Sequence, residues 1–591
     1  MNSPSVGVGS KATVWPKRTM AETYAILTAP GAPFEMREEL IDGSPCRTYV
    51  AAFQDMRAVF ESCRKWDERE YIVYLQQRLT FGATRRAATR LAWILKERFG
   101  IEKGDRVAIA MRNIPEWVIV FWSVVISGAV IVPVNAWGTA DELVYAIADS
   151  DAKAIFVDQE RLERVAPLLS PIQRAGLIAT RATPPSLGSA TALESLIGSP
   201  EDYASLPDTP LPNVVIDPDD DATIFYTSGT TGRPKGALGT HRNMTTNLVN
   251  VGLRFARAAL RRGDPLPPLP SEQSTTLLPT PLFHVTGTHS GITPSMAAGT
   301  RMVLMHKWDV ETALELIERE RVNTLVTVPT MSWQLVQAKP DRDHDLSSLK
   351  TITYGGAPGG ADLHAALSGR FPGLFLASAY GMTETSSTVT SNSAEDLVAR
   401  PDSAGTGMPC NDFRIVDAED CDVPPGTPGQ LVVRGPNVIK GYWKRPQESA
   451  QALREGWMQT GDVARMDEEG FFFILDRMKD VLIRGGENIY CGEIESVIGE
   501  HAAVEEVALI GIPHQVLGEE VGAVLKVHYP VEPQELQNHV SAKLASFKVP
   551  TRFFFIEEPM PRTANGKIMK NRVKARILES LASGNPKDAI K

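Results

Sequence analysis

Cysteine is scarce in this chain. Five residues (Cys46, Cys63, Cys410, Cys421 and Cys491) are scattered over 591 positions, an odd number with no CxxC pair and no Cys/His ligand spacing. A disulfide framework and a structural zinc site are thereby excluded, and reduced thiols are expected. A basic excess is also missing, the formal net charge being -10. That excludes a nucleic-acid binder whose affinity rests on a basic surface, but not a local basic site for an anionic substrate. No internal repeat and no tandem carrier or nucleic-acid module is visible. One uncharged run, residues 117–134, reaches membrane-spanning length, but Ser123, Ser127, Gly128 and Pro133 punctuate it. It reads as a buried helix to about Ile126, a turn, and a strand over 129–134, so no integral membrane segment is expected. The N-terminus lacks the long apolar core of a secretory signal. Its basic, Ser-containing start leaves a mitochondrial presequence open, although Pro4 and Pro16 interrupt any amphipathic helix there. The last residues, 588–591, are not an SKL-type peroxisomal signal. The cytoplasm is the expected compartment.

What is present is an ordinary globular composition, 43% hydrophobic and 22% charged, on a chain long enough for several domains. Strand-like runs alternate with helical stretches from about residue 78 to residue 379, the pattern of parallel α/β sheets. Residues 184–221, rich in Pro, Ser and Asp, read as a surface connection. Residues 264–270 carry repeated Pro and read as an exposed insert. After Cys410 the texture changes to short strands between Pro/Gly/Asp turns, as in a small antiparallel barrel. Beyond the charged junction 476–480, strands and helices alternate again. The expected fold is α/β: a large N-terminal domain of two α/β subdomains plus a small β-barrel, and a small mobile α+β C-terminal domain. The expected boundaries are a flexible arm over 1–45, the large domain over 46–478 and the small domain over 479–591.

The chain is organised around YTSGTTGRPKG, residues 226–236. An apolar strand feeds it and a helix beginning near His241 follows it. Glycines let successive backbone N–H groups converge on an anion, hydroxyls add donors and Lys235 adds charge. The order is not that of the common P-loop, which ends Gly-Lys-Ser/Thr; here Gly236 follows Lys235. Two further strands run into Gly/Thr-rich turns, YGGAP over 354–358 and YGMTET over 380–385. Open α/β sheets bind ligands at such strand ends.

With TGD (460–462), DRMKD (476–480) and NGK (565–567), these motifs form an ordered series that resembles the adenylate-forming superfamily of acyl-CoA synthetases, peptide-synthetase adenylation domains and beetle luciferase, most of all the fatty acyl-CoA synthetases. The resemblance spans about residue 75 to residue 570. It implies a two-step ligase: a carboxylate attacks the α-phosphorus of ATP to give acyl-AMP and pyrophosphate, then a nucleophile displaces AMP. ATP, Mg²⁺ and CoA are the implied substrates and metal, with a small carboxylic acid as the other reactant and no tightly bound organic cofactor. Thr227, Ser228, Gly229, Thr230, Thr231, Gly232 and Lys235 match the loop over the β/γ-phosphates. Thr383 and Glu384 match the residues at the α-phosphate and the metal. Gly356, Ala357 and Pro358 resemble the adenine wall, and Tyr380 its stacking ring. Asp462 and Arg477 match the ribose partners. Lys567 resembles the adenylation lysine, Lys479 the hinge, and Gly485, Gly486 and Glu487 the loop that faces CoA after domain rotation.

His284, after Pro281-Leu282-Phe283, resembles the gate between nucleotide and acyl channels. The implied acyl pocket is lined by stretches around His284, Gly287 and Gly291, around Thr330, and around Tyr354 and Gly355. Gly287 and Gly291 are read as leaving space. No Arg or Lys lies in these stretches, which favours an apolar tail, a medium- or long-chain fatty acid, with an aryl acid as the alternative. The short remainder after Lys567 makes CoA the expected acceptor. A loader of a separate carrier protein and a non-catalytic nucleotide or acyl sensor stay as alternatives.

Overall fold

The computed structural model describes residues 15–227, 233–268, 270–339, 342–357, 359–484, 487–562 and 568–582. The first sheet has eight strands. At its centre lie Val130–Pro133, Arg106–Ala110, Ala154–Asp158 and Leu177–Thr180, all parallel. The uncharged run resolves as expected. Pro115 opens helix Pro115–Ile126, all twelve residues of which are buried, and Gly128, at φ +69°, turns the chain into the next strand. Among the described residues no helix is long and apolar enough to cross a membrane.

One flank of this sheet is a hairpin, Asp221–Thr227 against Lys235–Thr240, with Thr227 opposite Lys235. The two described ends of the YTSGTTGRPKG motif therefore lie on paired antiparallel strands, and its strand does not lead directly into a helix. The helix comes one strand later, as His241–Arg262. Thr240 caps it through a reciprocal pair with Asn243, and Gly263, at φ +83°, ends it.

The second sheet begins as a parallel core of Glu70–Tyr74, Arg301–Leu304, Thr275–Leu278, Thr324–Thr327, Thr351–Gly355 and Phe375–Tyr380. Apolar runs bounded by turns produce these strands, and helices such as Val310–Arg319 cover their faces. The strands after Cys410 do not stand apart. They pair antiparallel in the order Asp412–Val416, Gly429–Arg434, Trp457–Met466 and Phe471–Arg477, and Gly405–Gly407 and Thr390–Ser393 join them to the parallel core. A third sheet, built on the long antiparallel pair Val504–His514 and Gly518–Val527, carries the C-terminal helices.

Two expectations are corrected. From residue 20 the supposed arm is ordered: helix Met20–Thr28, opened by a Thr19–Glu22 capping box, and hairpin Met36–Ile41/Ser44–Tyr49. Leu27 and Tyr49 are buried against Leu253, Leu260, Met408 and Cys410, and that apolar contact offsets the ordering entropy. Residues 184–221 are likewise no bare surface connection. Thr191–Ala192 extends the first sheet, Tyr203 is buried, and Asp208 pairs with the buried Arg85.

Candidate functional site

Three strand ends converge. Strand Thr351–Gly355 stops at Gly356, whose φ of +82° is a left-handed turn that suits glycine. The neighbouring strand Phe375–Tyr380 stops at Gly381, where an added Cβ would lie 1.4 Å from the carbonyl oxygen of Ser387. No side chain fits there, so the chain doubles back and presents the short turn Thr383–Thr385. The third contributor is the hairpin carrying Thr227 and Lys235.

Glu384 sits in that turn, 6% exposed. Burial pushes its carboxyl above the usual range, while the hydroxyl of Tyr442 pulls the other way by donating to Oε1 at 2.9 Å. Tyr442 belongs to the two-residue strand Gly441–Tyr442, which pairs with the Lys235 strand. The Lys235 ammonium lies 5.4 Å from the centre of the Tyr442 ring. One tyrosine thus ties the Lys235 ammonium to the buried Glu384 carboxylate. Asn437 braces the same region by donating to the Thr385 carbonyl at 2.9 Å. Sequence reading missed Tyr442 and Asn437; the only signal was an aromatic pair, Tyr442-Trp443, after Gly441.

Tyr380 closes the other side. Its hydroxyl donates to Asp462 Oδ2 at 2.5 Å, and Arg477 Nε lies 2.6 Å from Oδ1. Antiparallel register puts Asp462 directly opposite Arg477. Burial and the adjacent carboxylate push the Tyr380 hydroxyl well up, so it stays a donor at neutral pH. The sequence expectation for Tyr380 was a stacking ring; its hydroxyl in addition orients Asp462.

Next to these residues is a cavity of about 70 Å³. Tyr354, Gly355, Gly356, Tyr380 and Met382 line it, with Val285, Thr286 and Ser290 from the stretch after His284, and Asn250, Val251 and Arg254 from helix His241–Arg262. The wall residues Thr353 and Tyr354 carry buried hydroxyls with no hydrogen-bond partner among the described residues, and burial pushes the Tyr354 hydroxyl up to about 12.

Several expected pocket residues do something else. Gly287 and Gly291 do not line the cavity. A Cβ at Gly287 would meet the Pro281 carbonyl at 2.3 Å, and one at Gly291 would meet Leu278 at 2.6 Å. They are glycines because the chain packs closely there, not to leave ligand space. Thr330 is exposed at the start of helix Pro329–Gln337. His284 packs on Phe283, ring centres 4.6 Å apart, beside the cavity-lining Val285. The premise that no cation faces the pocket also fails, because Arg254 comes from a helix outside the stretches considered.

Ser228, Gly229, Thr230, Thr231, Gly232, Pro358, Gly485, Gly486 and Lys567 lie outside the described residues. Ala357 follows Gly356 in the turn after strand Thr351–Gly355, half-buried. Lys479 is exposed in the turn between Phe471–Arg477 and Leu482–Arg484. Glu487 is exposed and paired in register with Arg484. Cys491 is buried, donates its backbone N–H to Asp476 at 2.5 Å, and has its thiol pushed up by burial, as suits a structural residue.

A family model described as AMP-binding enzyme matches residues 59–443, and one described as AMP-binding enzyme C-terminal domain matches residues 493–567. The chain is 36% identical over 503 residues to a feruloyl-CoA synthase of Amycolatopsis, covering 84% of this chain and 94% of that one. It is 30% identical over 551 residues to a long-chain-fatty-acid–CoA ligase of Bacillus subtilis, covering 87% and 92%. A solved structure of the O-succinylbenzoate coenzyme A synthetase of Bacillus subtilis, in complex with ATP and magnesium ion, superposes with TM-score 0.71 at 28% identity, over 87% of this chain and 99% of that one. The chain therefore belongs to the AMP-binding enzyme family, the adenylate-forming superfamily that contains the acyl-CoA synthetases.

Proposed function

We propose that the chain is an ATP-dependent carboxylic acid–CoA ligase that works through an acyl-AMP and acts on a compact, aryl-type acid. The observation that carries the reading is the cavity beside Gly356, Tyr380 and Met382: it is small, and its mainly apolar walls carry a few polar groups, among them Thr353, Tyr354 and Arg254. An engineered cavity that holds benzene measures about 150 Å³. At about 70 Å³ the present one is less than half that size, so a ring-sized acid enters only as the walls part, and a long alkyl tail demands more displacement still. The feruloyl-CoA synthase relative agrees with this preference. A fatty acid is the second reading, favoured by the apolar Val251, Val285, Val326 and Met408 on the same walls and by the long-chain-ligase relative.

The residues divide the work as follows. Asp462, held between Tyr380 and Arg477, offers an oriented carboxylate to two ribose hydroxyls. The turn at Gly355 and Gly356 lets the backbone approach the adenine. Lys235, with the loop it follows, draws the β- and γ-phosphates and supports the departing pyrophosphate. Glu384 fits a Mg²⁺ ion: a buried carboxylate with a single side-chain donor gains by meeting a hard cation, and Mg²⁺ needs only one or two protein carboxylates besides phosphate oxygens. When bound, the ion offsets phosphate charge. His284, next in sequence to the cavity-lining Val285, gates the acid's approach. Lys567 bridges the acid's carboxylate and the α-phosphate, lowering repulsion between two anions. Rotation at Lys479 then exchanges Lys567 for the loop containing Glu487, and the CoA thiol displaces AMP.

Lys567→Ala tests this assignment. Acyl-AMP formation, read as hydroxamate, should fall by about three orders of magnitude, while thioester formation from supplied acyl-AMP persists. Full adenylation in the variant would sink the role given to Lys567.

A further inference from the structure

Helix His241–Arg262 carries a buried polar stripe at alternating spacings of three and four: Asn247, Asn250, Arg254, Arg257 and Arg261. Four of the five are hydrogen-bonded, although the Nε of Arg257 is buried without a partner. Asn247 donates to the His289 carbonyl and accepts from the Thr388 backbone. Asn250 joins Tyr49 and the Thr388 carbonyl. Arg257 donates to Tyr24, Thr406, Ser391 and Ser393. Arg261 pairs with Asp396 at 2.6 Å. Arg254 is the exception. It is 9% exposed, its Nε is sealed from solvent, and among the described residues its guanidinium has no hydrogen-bond acceptor and no carboxylate.

A buried cation without a counter-charge is costly. Burial and the like charge of Arg257 lower the Arg254 guanidinium to about 10, which still leaves it charged at neutral pH. Arg254 lines the cavity, and no Asp or Glu does. The Phe255 ring, 5.0 Å from the guanidinium, compensates only in part, and among the described residues the counter-charge is left to what enters. A guanidinium presents a planar fork that matches a carboxylate at two points. The first carboxylate of the acid is consumed at the α-phosphate, so the group that meets Arg254 is a second one.

We propose that Arg254 is a specificity-determining residue that selects an acid carrying a second carboxylate at the end remote from the reacting one. This rests on the reading of the cavity as the acid site. Arg254 lines the cavity from helix His241–Arg262, whereas Gly355, Gly356 and Tyr380 line it from the strand ends, so the guanidinium and the turns belong to different walls.

The test uses the full chain with ATP and Mg²⁺, reading hydroxamate formation with two matched pairs: benzoate against terephthalate, and cinnamate against 4-carboxycinnamate. The wild type should favour the diacid of at least one pair by about tenfold or more in kcat/KM. Arg254→Met should lower kcat/KM for the diacid at least about tenfold more than for the monoacid, leave the KM for ATP within about threefold, and raise the unfolding temperature of the free protein, because an unpaired buried charge is gone. Arg254→Lys should keep part of the preference. Equal use of monoacid and diacid by the wild type, or equal loss of both in Arg254→Met, overturns the proposal while the ligase reading stands. Failure to adenylate any acid overturns the ligase reading and this inference with it. The wild-type comparison decides the matter even where a variant does not fold.

Discussion

Asp462→Asn is the most informative single change at the nucleotide side. The substitution keeps volume and removes one charge from a carboxylate that is 3% exposed. Two contacts change at once. Tyr380 still finds an acceptor, but Arg477 at 2.6 Å loses its ionic partner. A charge-assisted hydrogen bond contributes about 1.5–3 kcal/mol, and the 37% exposure of Arg477 brings this pair to about 1–2 kcal/mol. The ribose hydroxyls lose a charged acceptor as well, which adds about 1–2 kcal/mol. The Arg477 pair exists with or without ATP and so reads as stability, and the ribose contribution alone corresponds to a fall of about 5- to 30-fold in kcat/KM for ATP. The assay is pyrophosphate exchange at varied ATP and saturating acid. The KM for the acid should stay within about threefold, because Asp462 does not line the cavity. A kcat/KM for ATP within about threefold of wild type would refute the placement of the ribose at Asp462. Tyr380→Phe is the control: it keeps the ring, removes the 2.5 Å bond, and should cost about a tenth as much in rate.

Gly381→Ala should abolish both half-reactions and lower soluble yield, since its Cβ would sit 1.4 Å from the Ser387 carbonyl and the turn bearing Glu384 could not form; circular dichroism and pyrophosphate release check this, and near-normal activity would contradict it. Lys479→Pro should slow thioester formation about tenfold more than adenylation, measured by following acyl-AMP and acyl-CoA separately; equal loss of both would count against a hinge there. His241 is buried, accepts from the Met56 N–H, and burial lowers its imidazole to about 4 from 6.5. A depressed folded value means the unfolded chain binds the proton first, so stability is present above about pH 6.5 and is lost as pH falls toward 4, by about 3 kcal/mol at the low end. Thermal unfolding across that window should show the loss, and His241→Gln should flatten it; an unchanged slope in the variant would remove His241 as the cause.

The turns at Gly356 and Gly381 and the Asp462–Arg477 pair were legible because they are local. Strand-then-glycine patterns end at the turns they announce, at Gly356 and Gly381, where φ and close approach demand glycine. The paired strands bring Asp462 and Arg477 together just as the motif order implied. The acid side was not legible for a topological reason. Its decisive residue, Arg254, sits on a helix that reads as an ordinary amphipathic element; only the packed fold turns the stripe Asn247, Asn250, Arg254, Arg257 and Arg261 inward. Gly287 and Gly291 misled in the opposite direction, since glycine signals either free space or close packing and the sequence does not distinguish them. Residues 20–49 looked like an arm because their apolar positions are few and short, yet they cover the outer part of that same helix and give Arg257 and Asn250 their tyrosine partners.

The most direct test of the account is the product balance of the purified chain given ATP, Mg²⁺, CoA and the four aryl acids, resolved by mass. The account predicts AMP, pyrophosphate and an aryl-CoA thioester in equal amounts, with the acyl-AMP trapped when CoA is withheld. ADP and phosphate as products, or no acyl-AMP from any acid including a long-chain fatty acid, would contradict it; acyl-AMP that never passes to CoA would assign the second step to a different acceptor.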